Sequence, residues 1–299
     1  MRTLLLGANG QVGHELRRAL ATLGEVICTT RDGRLSDGSA CETADLGAPD
    51  TLAALVDRIA PDVVVNAAAY TAVDRAESER DTAFRANAQA PAALAAACAH
   101  RDALLVHYST DYVFDGTGTR PYREDDPVAP LGVYGESKLA GEQAILASGA
   151  RHMILRTAWV YADRGSNFML TMLRLARERD ELRVVADQVG TPTPAILIAN
   201  TTAEILGRPF SASGLWHLTA GGETSWHGFA EAIVERAHAL GLITRRPQVT
   251  AIASSEYPTP VRRPAYSRLD CGRLQQEFGI DLPDWRAELN GVLRSVPGG

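Results

Sequence analysis

The chain has 299 residues, of which 45% are apolar and 22% charged, and its net charge is −6. Such a chain suits one large or two moderate globular domains with a substantial core. Its negative balance and scattered arginines argue against binding to nucleic acid or to a membrane surface.

In chain order, Thr3-Leu4-Leu5-Leu6 reads as a short buried strand that runs into Gly7-Ala8-Asn9-Gly10-Gln11-Val12-Gly13. Those apolar residues meet the glycine turn directly, with no signal-peptide core, and no apolar run approaches the length of a membrane span, so a cytoplasmic location is expected. Val12, Leu16, Ala19, Leu20 and Leu23 then recur at helical spacing up to Gly24, and Glu25-Val26-Ile27-Cys28-Thr29 forms the next strand. Strand, glycine turn and helix let a backbone approach a pyrophosphate at a helix N-terminus. Gly7, Asn9, Gly10, Gln11 and Val12 are therefore the expected phosphate-facing segment, although the glycines are spaced three and three rather than as GxGxxG.

The second strand ends in Thr29-Thr30-Arg31 before Asp32. An acidic residue at that end would accept a ribose hydroxyl, whereas an arginine suits a 2′-phosphate. Arg31 thus favours NADPH, and Asp32, one step away, keeps NADH open.

Val63-Val64-Val65-Asn66, Leu104 through Ser109, and Met153 through Thr157 are further strands separated by helical segments. Continuous β-branched and leucine-rich runs between helices indicate an α/β fold, a Rossmann-type doubly wound parallel sheet covered on both faces. Ligands bind such sheets at the carboxyl ends of their strands. Gly7 to Gly13, Asn66 to Tyr70, Ser109 to Tyr112 and Thr157 to Tyr161 should converge on one crevice.

A hydroxyl from Ser109 or Thr110 could bond a substrate carbonyl oxygen there, since a donor placed where negative charge develops lowers the barrier. Next comes Tyr134-Gly135-Glu136-Ser137-Lys138, which holds the only lysine of a chain with 29 arginines. Surface charge is served nearly as well by arginine, so a lone lysine marks a place that needs a compact ammonium. Spaced i and i+4 on a helix, phenol and ammonium share a face. The ammonium should lower the phenol pKa from about 10, making a general acid/base pair.

Past residue 162 the alternation becomes irregular and prolines multiply, which suggests a smaller substrate domain interleaved with the last strands of the first. The expected division is 1–162 with 192–221 for the dinucleotide and 163–191 with 222–299 for the substrate. Cys28, Cys41, Cys98 and Cys271 have no CxxC spacing and read as reduced, mostly buried small side chains. The seven histidines show no HxxxH or HxH pair, so no metal site is expected.

The glycine turn, Asn66-Ala67-Ala68-Ala69-Tyr70, Ser109-Thr110-Asp111-Tyr112 and Tyr134-Gly135-Glu136-Ser137-Lys138 together resemble the extended short-chain dehydrogenase/reductases. Within them, nearly the whole chain resembles the dTDP-4-dehydrorhamnose reductase family, including Arg156 through Tyr161, Asp187-Gln188-Val189-Gly190 and Arg263 through Leu269. That resemblance implies reduction of the 4-keto group of a dTDP-sugar, dTDP-4-dehydro-L-rhamnose, in making a cell-envelope sugar. It implies Tyr134 as proton donor, Lys138 as the holder of the nicotinamide ribose, and Thr110, Asp111 and Tyr112 at the sugar. Ala67, Ala68 and Ala69 would line the cofactor, and Asp45 with Leu46 would flank the adenine. Trp159, at a strand's carboxyl end, would offer the sugar a flat face. Asn167, Arg262 and Arg263 would serve the nucleotide diphosphate, arginine being suited to forked phosphate contacts.

Some relatives bind magnesium across a dimer through a glutamate that Glu15 matches, with further carboxylates after the Gly190-Thr191-Pro192-Thr193 turn. Here that segment is Pro194-Ala195-Ile196-Leu197-Ile198, so Mg2+ is not supported, and a homodimer is left open. Besides a different nucleotide-sugar 4-ketoreductase, two other readings stand beside the reductase. Nucleotide-sugar dehydratases place a glutamate base where this chain has Tyr112, and the fold also resembles the nucleotide-binding regulatory subunit of methionine adenosyltransferase.

Overall fold

The computed structural model describes residues 1–209 and 213–296. Its centre is a seven-stranded parallel sheet made of β1 (Arg2–Leu6), β2 (Glu25–Thr30), β3 (Glu42–Thr43), β4 (Val63–Asn66), β5 (Leu104–Thr110), β6 (His152–Thr157) and β7 (Gly214–His217). The spatial order is β7-β6-β5-β4-β1-β2-β3. The chain reverses direction across the sheet between β1 and β4, so their carboxyl ends diverge into the ligand crevice of a doubly wound fold.

Period-two alternation along the strands assigns each side chain to a face. Leu5, Val65, Val106, Met153 and Leu155 pack under helix α1 (Gln11–Leu20) through its Leu16 and Leu20, together with Ile198 and Ala199 of a later helix, Ala195–Leu206. Leu4, Leu6, Val64, Leu105 and Ile154 point the other way. They meet Leu52 and Val56 of α2 (Leu52–Ile59), Leu94 and Cys98 of α3 (Ala90–Arg101), and Ile145 of α4 (Val133–Ala147). The predicted strands fall within a residue of the observed ones, and the helix expected to reach Gly24 stops at Leu20.

A further core is built by later elements. Helices Phe168–Glu178, Trp226–Ala239 and Trp285–Ser295 bring Met169, Leu173, Phe229, Ile233, Trp285 and Leu289 together, beside the parallel pair Glu181–Val185 and Gln248–Ile252. Leu274, Phe278 and Ile280 instead join the sheet's first core beside Trp216.

One ion pair lies within the fold rather than on it. Arg156 of β6 forks onto Glu142 of α4 through Nε–Oε1 at 2.9 Å and Nη2–Oε2 at 2.6 Å, and both side chains are almost wholly buried. Removing one charge of a buried pair strands the other at a cost of about 3–5 kcal/mol. Glu142→Ala should therefore lower the unfolding free energy by about 3 kcal/mol, measured by urea denaturation. A loss below about 1 kcal/mol would show that Arg156 finds another partner.

Candidate active site

The phosphate-facing turn is shaped by contacts that exclude side chains. Gly7 has φ +80°, and a Cβ on Gly13 would lie 2.1 Å from the Gly7 carbonyl oxygen. Only glycine lets α1 start this close to β1. No side chain caps α1 at Gly10, so its first-turn N–H groups remain available at the carboxyl end of the sheet. Gln11 and Val12 open that turn, and Val12 also packs into the first core.

Asn9 has a different part. Its amide nitrogen donates to the Arg34 carbonyl at 2.9 Å and its oxygen accepts from Ser36 N–H at 2.9 Å, so its side chain fastens the loop after β2 rather than facing phosphate. In that loop Thr30 donates its hydroxyl to Asp32 at 2.8 Å, turning the carboxylate back on its own chain. Arg31 is exposed and, among the described residues, makes no hydrogen bond or ion pair. Ala67, Ala68 and Ala69 follow β4 beside Gly7, and the Ala68 nitrogen would be 2.9 Å from a Gly7 Cβ. Asp45 accepts from Gly47 N–H, while the Leu46 side chain enters the core, so only its backbone can flank a ligand.

Helix α4 is pressed onto its neighbours at two more glycines. Cβ atoms on Gly135 and Gly141 would lie 2.2 Å from Tyr112 O and 2.1 Å from Asn87 O. The Glu77 carboxylate accepts from Val133 N–H at 2.8 Å, closing the helix start from outside. Asn87 sits in a single π-helical turn, Arg85–Gln89, and ties the Tyr70 backbone to the Ser137 hydroxyl. Such turns inside helices recur at functional sites.

That seating brings Tyr134 to the crevice, partly exposed, with the Tyr112 ring edge-on at 5.5 Å and the Thr110 hydroxyl beside its phenol. Burial raises the Tyr134 pKa above its usual value, and Thr110 offsets only part of the effect. The expected lowering by Lys138 is thus corrected. The Lys138 Nζ turns to Tyr108 O at 2.7 Å and His107 Nε2 at 3.2 Å, and desolvation outweighs any attraction at the phenol.

Of the two candidate hydroxyls, Thr110 is the one at Tyr134. It donates to Asp111 Oδ1 at 3.0 Å and accepts from Tyr112 N–H at 3.2 Å, whereas Ser109 Oγ is buried without a hydrogen-bond partner. Asp111 is buried beside the Ser267 hydroxyl, and burial, only partly offset by Ser267 and Thr110, pushes its pKa up to about 6. Tyr112 is pushed up to about 12 by burial and then by the Asp111 charge.

On the far wall, Trp159 adopts φ +48° and stacks on Trp226 at 3.5 Å and 6°. A Cβ at Gly190 would be 2.5 Å from the Trp159 ring, so this wall also depends on a glycine. One face of Trp159 is therefore taken by Trp226, not by a sugar. Asn167 needs a clear correction. It caps the helix Phe168–Glu178 by accepting from Leu170 N–H at 3.0 Å, and its nitrogen donates to Gln11 Oε1 at 2.8 Å and Ala162 O at 2.8 Å. Its amide is committed to the fold, leaving nothing for a diphosphate. Arg263 pairs with Asp74 at 2.6 Å, with its guanidinium 6.0 Å from the Tyr112 ring centre, while Arg262 is exposed. Glu15 is paired with Arg18 at 3.2 Å and faces Arg164 at 3.8 Å. Glu77, Asn87, His107 and Trp226 carry no local signal of a role, because each acts through partners distant in sequence.

Comparison with known proteins places these features in context. The family model described as the RmlD substrate binding domain matches residues 1–297. A dTDP-4-dehydrorhamnose reductase of Burkholderia thailandensis is 50% identical, with 99% of each chain covered. One of Shigella flexneri is 47% identical, covering 99% of this chain and 98% of its own. Among solved structures, a dTDP-4-dehydrorhamnose reductase of Clostridium acetobutylicum superposes with a TM-score of 0.89 at 36% identity, covering 99% of both chains. Another, from Bacillus anthracis in complex with NADP, gives 0.89 at 32% identity over 98% of this chain and 99% of its own.

Asp111 makes stability depend on pH. An aspartate ionises near 3.9 when unfolded and near 6 here, so its contribution is full below about pH 4 and lost as pH rises through about 6, by about 3 kcal/mol. Asp111→Asn should accordingly gain stability relative to the native chain between pH 4 and pH 7, read from urea midpoints at both. An equal difference at the two pH values would show that Asp111 ionises normally.

Proposed function

The chain belongs to the RmlD substrate binding domain family, and from that premise we propose how its residues carry the reaction. The protein is an oxidoreductase that reduces the 4-keto group of dTDP-4-dehydro-L-rhamnose to dTDP-L-rhamnose with NAD(P)H. The observation that carries the residue assignment is the Tyr134 phenol beside the Thr110 hydroxyl, one helical turn from the only lysine.

The residues present fit a dinucleotide. A side-chain-free turn at Gly7, Gly10 and Gly13 meets an uncapped helix N-terminus, the arrangement that receives a pyrophosphate. Gly7, Gly10, Gln11, Val12 and the 67–69 backbone would hold it, and when bound its reduced nicotinamide supplies the hydride. Everything else falls to the chain. With substrate bound, Thr110 would turn its hydroxyl proton from Asp111 to the carbonyl oxygen, and Tyr134 would protonate that oxygen. Burial keeps the Tyr134 phenol protonated before substrate arrives and makes its proton harder to release, so the charge developing on the carbonyl oxygen must draw that proton across. Lys138 holds the ribose from below. Tyr112 occupies the place where a dehydratase would need a carboxylate base, so that position offers a phenol in place of the base.

We assign the sugar to Thr110, Asp111 and Tyr112, with Trp159 as a wall stiffened by Trp226. Arg262, exposed and unpaired among the described residues, and Arg263, steadied by Asp74, are assigned to the diphosphate. The division into 1–162 with 192–221 and 163–191 with 222–299 as cofactor and substrate parts is supported by the separate core around Phe229 and Trp285. No helix among the described residues is long and apolar enough to cross a membrane, which agrees with our assignment to the cytoplasm.

Tyr134→Phe keeps the ring and removes the proton, so kcat should fall at least ~100-fold with cofactor affinity nearly unchanged. Full activity of this variant would refute the assigned acid. Arg31 makes no hydrogen bond or ion pair among the described residues, so NADPH should have the higher kcat/KM and Arg31→Ala should lower the NADPH/NADH ratio selectively. Equal efficiencies, unaltered by the mutation, would place cofactor choice elsewhere.

A further inference from the structure

Beneath the crevice a buried chain of polar groups leads to Lys138, and the reaction as described gives no part to its Asn66 and His107. The Ala68 N–H donates to Asn66 Oδ1 at 3.2 Å, Asn66 Nδ2 lies 3.1 Å from His107 Nδ1, and His107 Nε2 lies 3.2 Å from Lys138 Nζ. The amine also donates to Tyr108 O at 2.7 Å. Asn66, His107 and Lys138 are 1%, 1% and 2% exposed, so bulk water cannot repair a mismatch among them.

The direction of each bond follows from donor and acceptor chemistry. A backbone N–H can only donate, so Asn66 faces Ala68 with its oxygen and His107 with its NH2. His107 Nδ1 must then accept. Burial keeps the imidazole neutral, so its single N–H sits on Nε2 and points at Lys138. An ammonium is all donor and would meet that N–H head on. Flipping the amide or moving the imidazole proton only relocates the clash, because two links that each accept once and donate once cannot join two ends that both donate. The chain closes without conflict only when Nζ offers a lone pair.

We propose that His107 is a positioning residue of the reductase: Asn66 sets its tautomer, and its Nε2–H opposes the ammonium form of Lys138, leaving an amine that exchanges a proton at working pH. The other charged groups around Lys138 do not supply this opposition. On its own helix Glu142 favours the ammonium and is itself engaged by Arg156 of β6. Tyr134, one turn earlier, is a neutral phenol, and Asp111 beyond β5 is bonded to Thr110. Glu77 closes the helix start, and Arg80 of the neighbouring Arg80–Phe84 turn pairs with Glu136, while Asp81 and Arg85 on the same stretch leave Lys138 unaffected. Burial itself acts in the same sense as His107, bringing the Lys138 pKa down to about 8.

The proposal rests on Lys138 serving the acid/base pair, but its first test, a titration, needs neither substrate nor turnover. Because the chain has one lysine, protein made with [ε-13C]lysine and no lysine-bearing tag shows a single side-chain resonance whose shift with pH reads Lys138 alone. The expected native midpoint is about 8. Asn66→Asp replaces the amide by a carboxylate that accepts on both sides, which reverses His107 and lets Nε2 accept from the ammonium. Its midpoint should rise by at least ~1 pH unit, a tenfold gain in proton affinity, and the alkaline limb of kcat/KM should move with it. A purely structural role for Asn66 or His107 would lower the rate equally at every pH and leave that limb in place. Should Asn66→Asp not fold, the native protein still decides: 15N-histidine spectra must show His107 neutral and protonated on Nε2. A native midpoint near 10.4, an unchanged midpoint in Asn66→Asp, or an Nδ1–H tautomer of His107 overturns the proposal.

Discussion

Burial of Lys138 under β5 is the constraint on which the rest of the crevice depends. A lysine taken out of water needs partners, and the fold supplies the Tyr108 carbonyl to accept from Nζ with the His107 ring beside it, both on the strand that ends in Thr110. Anchoring Nζ to β5 fixes the rotation of α4, and the rotation of α4 sets Tyr134 against Thr110. The close approach this requires is obtained by omitting side chains, since a Cβ at Gly135 or Gly141 would run into the backbone of Tyr112 or Asn87.

The same dryness tunes the titratable groups. Tyr134 and Asp111 are both pushed up by burial, so the crevice resists negative charge before a ligand arrives. The buried Arg156–Glu142 pair beneath α4 balances its own charges and so adds rigidity without adding a net field. A lysine poised near neutrality, a phenol held protonated and a hydroxyl oriented by Asp111 form a site in which protons are placed mainly by desolvation and bond direction.

Several side chains turn out to brace the walls of the site. Asn9 holds the loop after β2, leaving Arg31 as the exposed charge at the edge of the cofactor crevice. Asn167 joins the start of α1 to the start of the helix Phe168–Glu178 through Gln11, so the glycine turn and that helix are tied side chain to side chain. Trp159, in a left-handed backbone conformation, is held by Trp226 and by the open space above Gly190. Preorganised walls of this kind let binding energy act on orientation rather than on reshaping the protein.

The elements written in local patterns were legible from the sequence alone. Apolar runs of one strand's length and the glycine turn identified the sheet and its crevice. The lone lysine one turn after Tyr134 singled out the pair we assign to acid/base chemistry, since period and composition are properties of short windows. What tertiary structure decided was the environment of each group. The sign of the Tyr134 shift depends on burial by β5 and its neighbours, which no spacing of two residues reports. Asn167 and Gln11 meet across 156 positions, and Asn66 and His107 across 41. A hydrogen-bond donor is the same residue in any sequence, but which acceptor it faces, and whether water can compete, exists only once the chain is folded.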